Sequence, residues 1–254
     1  MKKFVAAFAA LAVTVPVLAG PAPTLSISLG TRETNRGAAI GEDNGFSQPD
    51  GSSAGIEWVN LDGQTLTLDG TWQLFSFDMA NDPITAFAGG TADGVLDGTD
   101  GTLEHIRFLS NGFAGPITLW IDAISDTIDP VGPPPPSTVT FGDFEGFAAG
   151  DEVIFQEPGF SGSTAGNLVA GSTDGVDTSV SFSGSNSYRA DFQFVDNDPS
   201  RWLRLTTFQT PNIPNPAIRY DQSSVVEFYI MGVPEPASLA LLALGGLVAL
   251  RRRG

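Results

Sequence analysis

Outside its apolar ends, the chain has no stretch that sustains the apolar spacing of an amphipathic helix, and this constrains the fold most. Short runs rich in β-branched and aromatic residues instead alternate with Gly, Asp, Asn and Pro, which favour turns. These runs cover residues 64–68, 71–77, 104–109, 117–124, 153–155, 179–183, 188–195, 202–208 and 225–230. In the last run Val226, Phe228 and Ile230 alternate with Glu227 and Tyr229. The sequence therefore predicts an all-β protein, either a sandwich or a barrel.

The two halves of this region share landmarks in the same order, which predicts an internal duplication. The tripeptide Asn-Asp-Pro occurs at 81–83 and again at 197–199, and the segment 45–55 resembles 159–166. We predict two tandem jelly-roll β-sandwiches joined by a Pro-rich linker, at residues 24–130, 138–232 and 131–137 respectively. One larger sandwich built from both halves is the alternative.

Two runs also resemble a known family. The sequences Ile-Thr-Leu-Trp-Ile-Asp at 117–122 and Trp-Leu-Arg-Leu at 202–205 are similar to strands of galactose-binding-like jelly rolls. The resemblance implies sandwich modules, which often hold a structural calcium ion.

The N-terminal residues have the order of features that a secretory signal peptide requires. Lys2 and Lys3 precede an apolar stretch at 4–15, and Val17 and Ala19 offer a cleavage site after Ala19. Residues 1–19 are therefore predicted to be a signal peptide with a helical apolar region, which implies export through the inner membrane.

The C-terminal residues carry a second sorting feature. Pro234, Glu235 and Pro236 precede an apolar run at 237–250, and three arginines follow, namely Arg251, Arg252 and Arg253. Fourteen helical residues span roughly 21 Å, so the run can form a short transmembrane helix whose arginines stay cytoplasmic.

This arrangement at 233–254 resembles the PEP-CTERM sorting signal of Gram-negative bacteria. The resemblance implies an exosortase-type transpeptidase of the inner membrane as partner. It also implies a transient membrane anchor, followed by release to the cell surface or the extracellular matrix.

Composition excludes several kinds of site. The chain has no cysteine and a single histidine, His105, which rules out thiolate metal sites, disulfides and histidine clusters. A net charge of −17 argues against nucleic acid as a partner. No nucleophile elbow, P-loop or zinc-protease motif is present, and we expect no enzymatic activity. A lone strand histidine is most often a surface residue or one whose hydrogen bonds are satisfied.

Tryptophans beside polar residues are the first candidate binding site. Trp202 and Arg204 share one face of a predicted strand, and Trp120 and Asp122 share a face of another. Exposed aromatic rings beside Asp or Arg are the side chains with which β-sandwiches bind sugars. Trp58 and Trp72 are further options, and packing in a core is the alternative for all four tryptophans.

Clustered aspartates are the second candidate site. Asp93, Asp97 and Asp100 lie in one Gly-rich loop, and Asp196 and Asp198 lie in another. Calcium binds six to eight oxygen ligands, many of them carboxylate. We expect no resident cofactor, with calcium at these aspartates as the alternative to ordinary Asp-Gly turns.

These observations predict a secreted structural or adhesive protein of the cell envelope or the extracellular polysaccharide matrix. A carbohydrate-binding module, stabilised by calcium or not, is the first alternative. A polysaccharide hydrolase is the second, since two carboxylates at a suitable separation suffice for that chemistry.

Overall fold

The computed structural model describes residues 20–128, 135–220 and 224–235. The predicted signal peptide with its cleavage site at Ala19 lies outside the described residues. So do Pro236, the apolar run at 237–250, the arginines Arg251, Arg252 and Arg253, and residues 131–134 of the predicted linker. Across the described ranges, no helix is long and apolar enough to cross a membrane.

The described residues form twelve strands and a single 3₁₀ turn at Ala165–Asn167. The strands are β1 (Thr24–Arg32), β2 (Ile56–Thr67), β3 (Trp72–Asp78), β4 (Ile84–Ala88), β5 (Asp100–Leu109), β6 (Pro116–Ile128), β7 (Ser137–Gly142), β8 (Thr173–Asp177), β9 (Ser187–Gln193), β10 (Trp202–Thr206), β11 (Ala217–Arg219) and β12 (Ser224–Pro234). The predicted all-β class is therefore confirmed.

The strands form two six-stranded antiparallel sheets. The front sheet has the order β10-β5-β1-β2-β4, and β11 also pairs with β5. The back sheet has the order β3-β12-β6-β9-β8, and β7 also pairs with β6.

Both halves of the chain contribute to both sheets, which corrects the predicted tandem arrangement of 24–130 and 138–232. Strands β10 and β11 of the second half pair with β5 of the first half. Strand β12 lies between β3 and β6, and β9 extends the same sheet. Strand alternation assigns a face to each residue but not a partner to each strand, so the sequence pattern fits either arrangement. The observed pairing is the alternative, one two-sheet body.

The hydrophobic core lies between the sheets and draws side chains from each of them. Leu25, Ile27 and Leu29 of β1 are fully buried, as are Val226, Phe228 and Ile230 of β12. The alternation predicted for β12 is thus confirmed. The apolar faces of the two opposed sheets therefore bury each other.

One irregularity in the front sheet determines where its polar side chains point. Gly30 of β1 pairs with His105 of β5, whereas Thr31 pairs with Leu103, so Glu104 is an extra residue in β5. A bulge of this kind re-aims side chains that regular alternation would place on the other face. A Cβ atom on Gly30 would overlap the imidazole ring of His105, so only glycine leaves room for the ring.

Candidate functional site

A buried carboxylate, Glu104, lies at this bulge and binds two arginines. Arg204 of β10 donates from Nε to Oε2 of Glu104 over 3.1 Å, and its Nη2 donates to Oε1. Arg32 at the end of β1 donates from Nη2 to Oε1 over 3.4 Å. The side chain of Glu104 is 2% exposed, so its carboxylate is shielded from water. Paired donors from Arg204 hold the carboxylate in one orientation.

His105 adds a neutral donor to the same carboxylate. Its Nδ1 contacts Oε2 of Glu104, and Nε1 of Trp58 donates to its Nε2 over 2.9 Å. An indole N–H is only a donor, so Nε2 must be an acceptor and the proton must lie on Nδ1. Burial lowers the pKa of His105, in agreement with a neutral ring. The histidine is satisfied on both nitrogens, one of the two environments expected from the sequence.

The pKa of Glu104 is set by two opposed effects. Burial would raise it, but the contacts with His105, Arg204 and Arg32 outweigh burial and lower the pKa to about 2. Glu104 is therefore ionised throughout the neutral and mildly acidic range. Two guanidinium groups against one carboxylate leave the group of Arg32, Arg204 and Glu104 with one net positive charge.

A cleft of about 380 Å³ opens beside this ion-pair network. Its residues are charged, aromatic or small and polar: Arg32, Phe46, Ser53, Glu104, Phe160, Ser161, Gly162, Arg204, Thr206 and Phe208. The rings of Phe46 and Phe208 meet edge to face with centroids 4.9 Å apart. Phe46 and Phe160 are 44% and 41% exposed, so the cleft presents apolar rings to solvent beside fixed charges.

An aromatic cluster of Trp58, Phe87 and Trp202 continues this face of the front sheet. The rings of Trp58 and Phe87 stack with centroids 4.1 Å apart, and Trp202 meets both edge to face. The guanidinium of Arg107 lies 5.2 Å from the rings of Trp58 and Trp202, and that of Arg204 lies 5.8 Å from Phe87. The contact between Arg204 and Phe87 ties the cluster to the cleft, because Arg204 also lines the cleft.

The structure brings together two of the residues predicted for sugar binding. Arg204 lines the cleft, and Trp202 lies two residues away on β10 within the aromatic cluster. The sequence did not indicate Arg32, Phe87 or Arg107 as site residues, because no local motif marks them. Trp58 stood among the options, and it is half-buried, like the other three tryptophans.

The second predicted pair, Trp120 and Asp122, lies on the back sheet. Trp120 donates from Nε1 to Asp177 over 2.8 Å, with the guanidinium of Arg189 5.7 Å from its ring. Asp122 is fully buried, and its carboxylate accepts hydrogen bonds from the backbone of Ala123 and of residues 182–183. Burial raises the pKa of Asp122. The hydrogen bonds of Asp122 hold the backbone of Ala123 and of residues 182–183. The partners of Trp120, Asp177 and Arg189, line a different, polar cleft.

Two of the three loop aspartates predicted for calcium accept backbone hydrogen bonds. Asp93 accepts from the backbone of Val95 over 3.0 Å, whereas buried Asp100 accepts from Gly37 over 2.8 Å. Asp97 is exposed, and its own backbone N–H is bound by Glu33 over 2.8 Å.

Both aspartates of the second loop have side-chain partners. Asp196 forms an ion pair with Arg201 at 2.8 Å, and Asp198 accepts from Ser200 over 2.8 Å. Across the residues that the structure describes, no three acidic or histidine side chains converge to hold a metal ion.

The predicted sorting segment begins inside the fold. Strand β12 extends to Pro234, which pairs with Ile117 of β6, and the backbone N–H of Glu235 donates to Pro116 over 2.9 Å. The last residue of the predicted second sandwich at 232 therefore does not end the strand. Pro234 is part of the back sheet, and Glu235 is hydrogen-bonded to the edge of strand β6.

Comparison with known proteins identifies this segment. The family model for the PEP-CTERM protein-sorting motif matches residues 232–253. The chain matches no curated protein and no solved structure. The chain therefore carries a PEP-CTERM protein-sorting motif, which implies recognition by an exosortase, export and membrane-associated sorting to the cell surface.

Proposed function

We propose that this exported surface protein is an adhesive protein that binds extracellular polysaccharide in the cleft of the front sheet. The observation that carries the proposal is the pairing of exposed Phe46 and Phe160 with fixed arginines around one cleft. Sugar rings have apolar faces that pack on aromatic rings and hydroxyl groups that need hydrogen-bond partners. The cleft supplies both, and its volume of about 380 Å³ is in the range of small-molecule pockets.

Arg204 is fixed before a ligand arrives, which supports binding. Arg204 is held by Glu104, and its guanidinium lies over Phe87, so little rotamer entropy remains to be lost on binding. The sorting motif supplies the matching location, because it implies delivery to the cell surface, where polysaccharide is present.

Binding without catalysis is the function we propose. Glu104 is the carboxylate that lines the cleft, and its low pKa together with three partners makes it unsuited to act as a general acid near neutral pH. Glycoside hydrolysis needs a second carboxyl group across the cleft, and the residues lining this cleft include no other acid.

The test measures binding of the full chain to a panel of extracellular polysaccharides by affinity electrophoresis. Phe160→Ala is expected to weaken binding about tenfold, the effect of losing one well-packed aromatic contact. Phe182→Ala is the matched control, because Phe182 is 42% exposed but packs against Tyr229 on the back sheet.

Equal binding by wild type, Phe160→Ala and Phe182→Ala would place the sugar elsewhere on the protein. Absence of binding to every polysaccharide would overturn the proposal. Release of reducing ends from any polysaccharide would favour the hydrolase instead.

A further inference from the structure

The hydrogen bonds around Glu104 determine which ligand groups the cleft can accept. Its two oxygens already receive Nε and Nη2 of Arg204, Nη2 of Arg32 and Nδ1 of His105. A carboxylate offers about four lone-pair sites, so these contacts use its acceptor capacity. Glu104 therefore orients the arginines and has no acceptor left for a sugar hydroxyl.

Both arginines retain donor capacity. The hydrogen bonds of Arg204 run from Nε and Nη2, and within the described part of the chain its Nη1 donates to no other group. Arg32 makes two long contacts, to the carbonyl of Ala54 at 3.3 Å and to Glu104 at 3.4 Å, and its buried Nε has no partner. The charged groups of the cleft thus offer hydrogen-bond donors.

The charge of the cleft also favours a ligand that accepts hydrogen bonds and carries negative charge. Arg32 and Arg204 face a single carboxylate and a neutral histidine, so one positive charge is uncompensated. Burial lowers the pKa of Arg32, and the nearby charge of Arg204 lowers it further, against the opposing effect of Glu104. An anionic ligand group would relieve this repulsion in a cleft whose remaining residues are uncharged.

We propose that the cleft selects an acidic polysaccharide, one whose sugars carry carboxylate groups, and that Arg204 and Arg32 bind the carboxylate while Phe46 and Phe160 pack against the sugar ring. This inference rests on the proposed polysaccharide binding and specifies its ligand. Planar guanidinium groups match a carboxylate through paired hydrogen bonds. The overall charge of −17 repels any polyanion at long range, so the preference must come from the local contacts of Arg204 and Arg32 with the carboxylate.

The experiment compares two polymers that differ only in the carboxylate. The full chain is titrated with polygalacturonate and with fully methyl-esterified polygalacturonate, in the presence of a chelator to exclude calcium bridging. Wild type is expected to bind the free acid at least tenfold more tightly than the ester, because only the free acid offers carboxylates to the guanidinium groups.

Two variants assign the preference to the arginines. Arg204→Gln is expected to bind both polymers with equal affinity, and Arg32→Gln to lose most of the preference. Phe160→Ala should weaken the binding of both polymers equally and leave the ratio of their affinities unchanged. Thermal unfolding of each variant checks that the fold persists, and the wild-type comparison stands without any variant.

The outcomes separate this inference from the proposed function. Equal wild-type affinity for the two polymers overturns carboxylate selection and leaves polysaccharide binding intact. Tighter binding of dextran sulfate than of polygalacturonate, with no binding of dextran, overturns the carboxylate in favour of a sulfate ester. Binding to no polysaccharide overturns both proposals.

Discussion

Substitution of Glu104 by Gln tests whether the buried ion pair stabilises the fold. The pKa of Glu104 falls from 4.5 to about 2 in the folded protein, so the ionised carboxylate favours folding. Each pKa unit corresponds to about 1.4 kcal/mol, which gives about 3 kcal/mol at neutral pH, an order-of-magnitude figure. Removing one partner of a buried ion pair typically costs about 3–5 kcal/mol, in agreement with this value.

The pH dependence has a definite sign. Because the folded pKa is depressed, the contribution of Glu104 is fully present above the unfolded value of 4.5. It disappears as the pH falls through about 2, where the protonated acid resembles Gln. The difference in free energy of unfolding between wild type and Glu104→Gln is therefore expected to be about 3 kcal/mol at pH 7 and to shrink steadily below pH 4.5.

The assay is urea unfolding of the full chain followed by tryptophan fluorescence, at several pH values between 2 and 7. Glu57→Gln is a matched control, since Glu57 is buried too but burial raises its pKa. Its Oε1 accepts from the backbone of Asp93 and Gly94, and its Oε2 is buried without a partner. The difference in free energy of unfolding between wild type and Glu57→Gln should therefore change with pH in the opposite direction.

Two results would refute this reasoning. A difference for Glu104→Gln that does not change with pH would show that the charge of Glu104 does not stabilise the fold. A difference of the same sign for both variants would show that the effect comes from the substitution rather than from the ion-pair network.

Three further predictions concern other parts of the fold. Gly30→Ala should lower the free energy of unfolding by about 1–3 kcal/mol, because its Cβ would overlap the His105 ring. Gly90→Ala has open space around its Cβ and should not lower it. Chemical unfolding compares the two variants, and equal stability would contradict the close approach at Gly30. Asp122→Ala should lower the free energy of unfolding by about 1–3 kcal/mol, because it leaves backbone N–H groups without an acceptor, and it should not change the affinity for polysaccharide. A lower affinity at unchanged stability would show that Asp122 belongs to the binding site. Deletion of residues 236–254 keeps β12 intact and should release the folded protein into the medium. Immunoblotting of cell and medium fractions detects the release, and retention on the cells would contradict sorting by this segment.

The class of fold and the sorting motif could be predicted from the sequence because both depend on local information. Alternation of Val226, Phe228 and Ile230 with polar residues is enough to predict a half-buried strand. The PEP-CTERM motif occupies contiguous residues at 232–253, so its residue order alone identifies it.

The candidate site could be predicted only in part. Trp202 and Arg204 share a strand, so a spacing of two residues placed them on one face. Their partner Glu104 lies 100 residues away from Arg204 and points to it only because of the bulge in β5. Neither the bulge nor the pairing of β10 with β5 has a local sequence signal.

The sequence by itself therefore determined that this protein is built of strands with one apolar face, and that it carries a surface-sorting motif. The tertiary structure decided which strands pair, and so whether the halves form two bodies or one. It also decided that Arg32, Glu104 and Arg204 meet beside Phe46 and Phe160. The physical reason is that strand pairing and register depend on contacts between residues far apart in the chain, whereas alternation and motifs depend on neighbours.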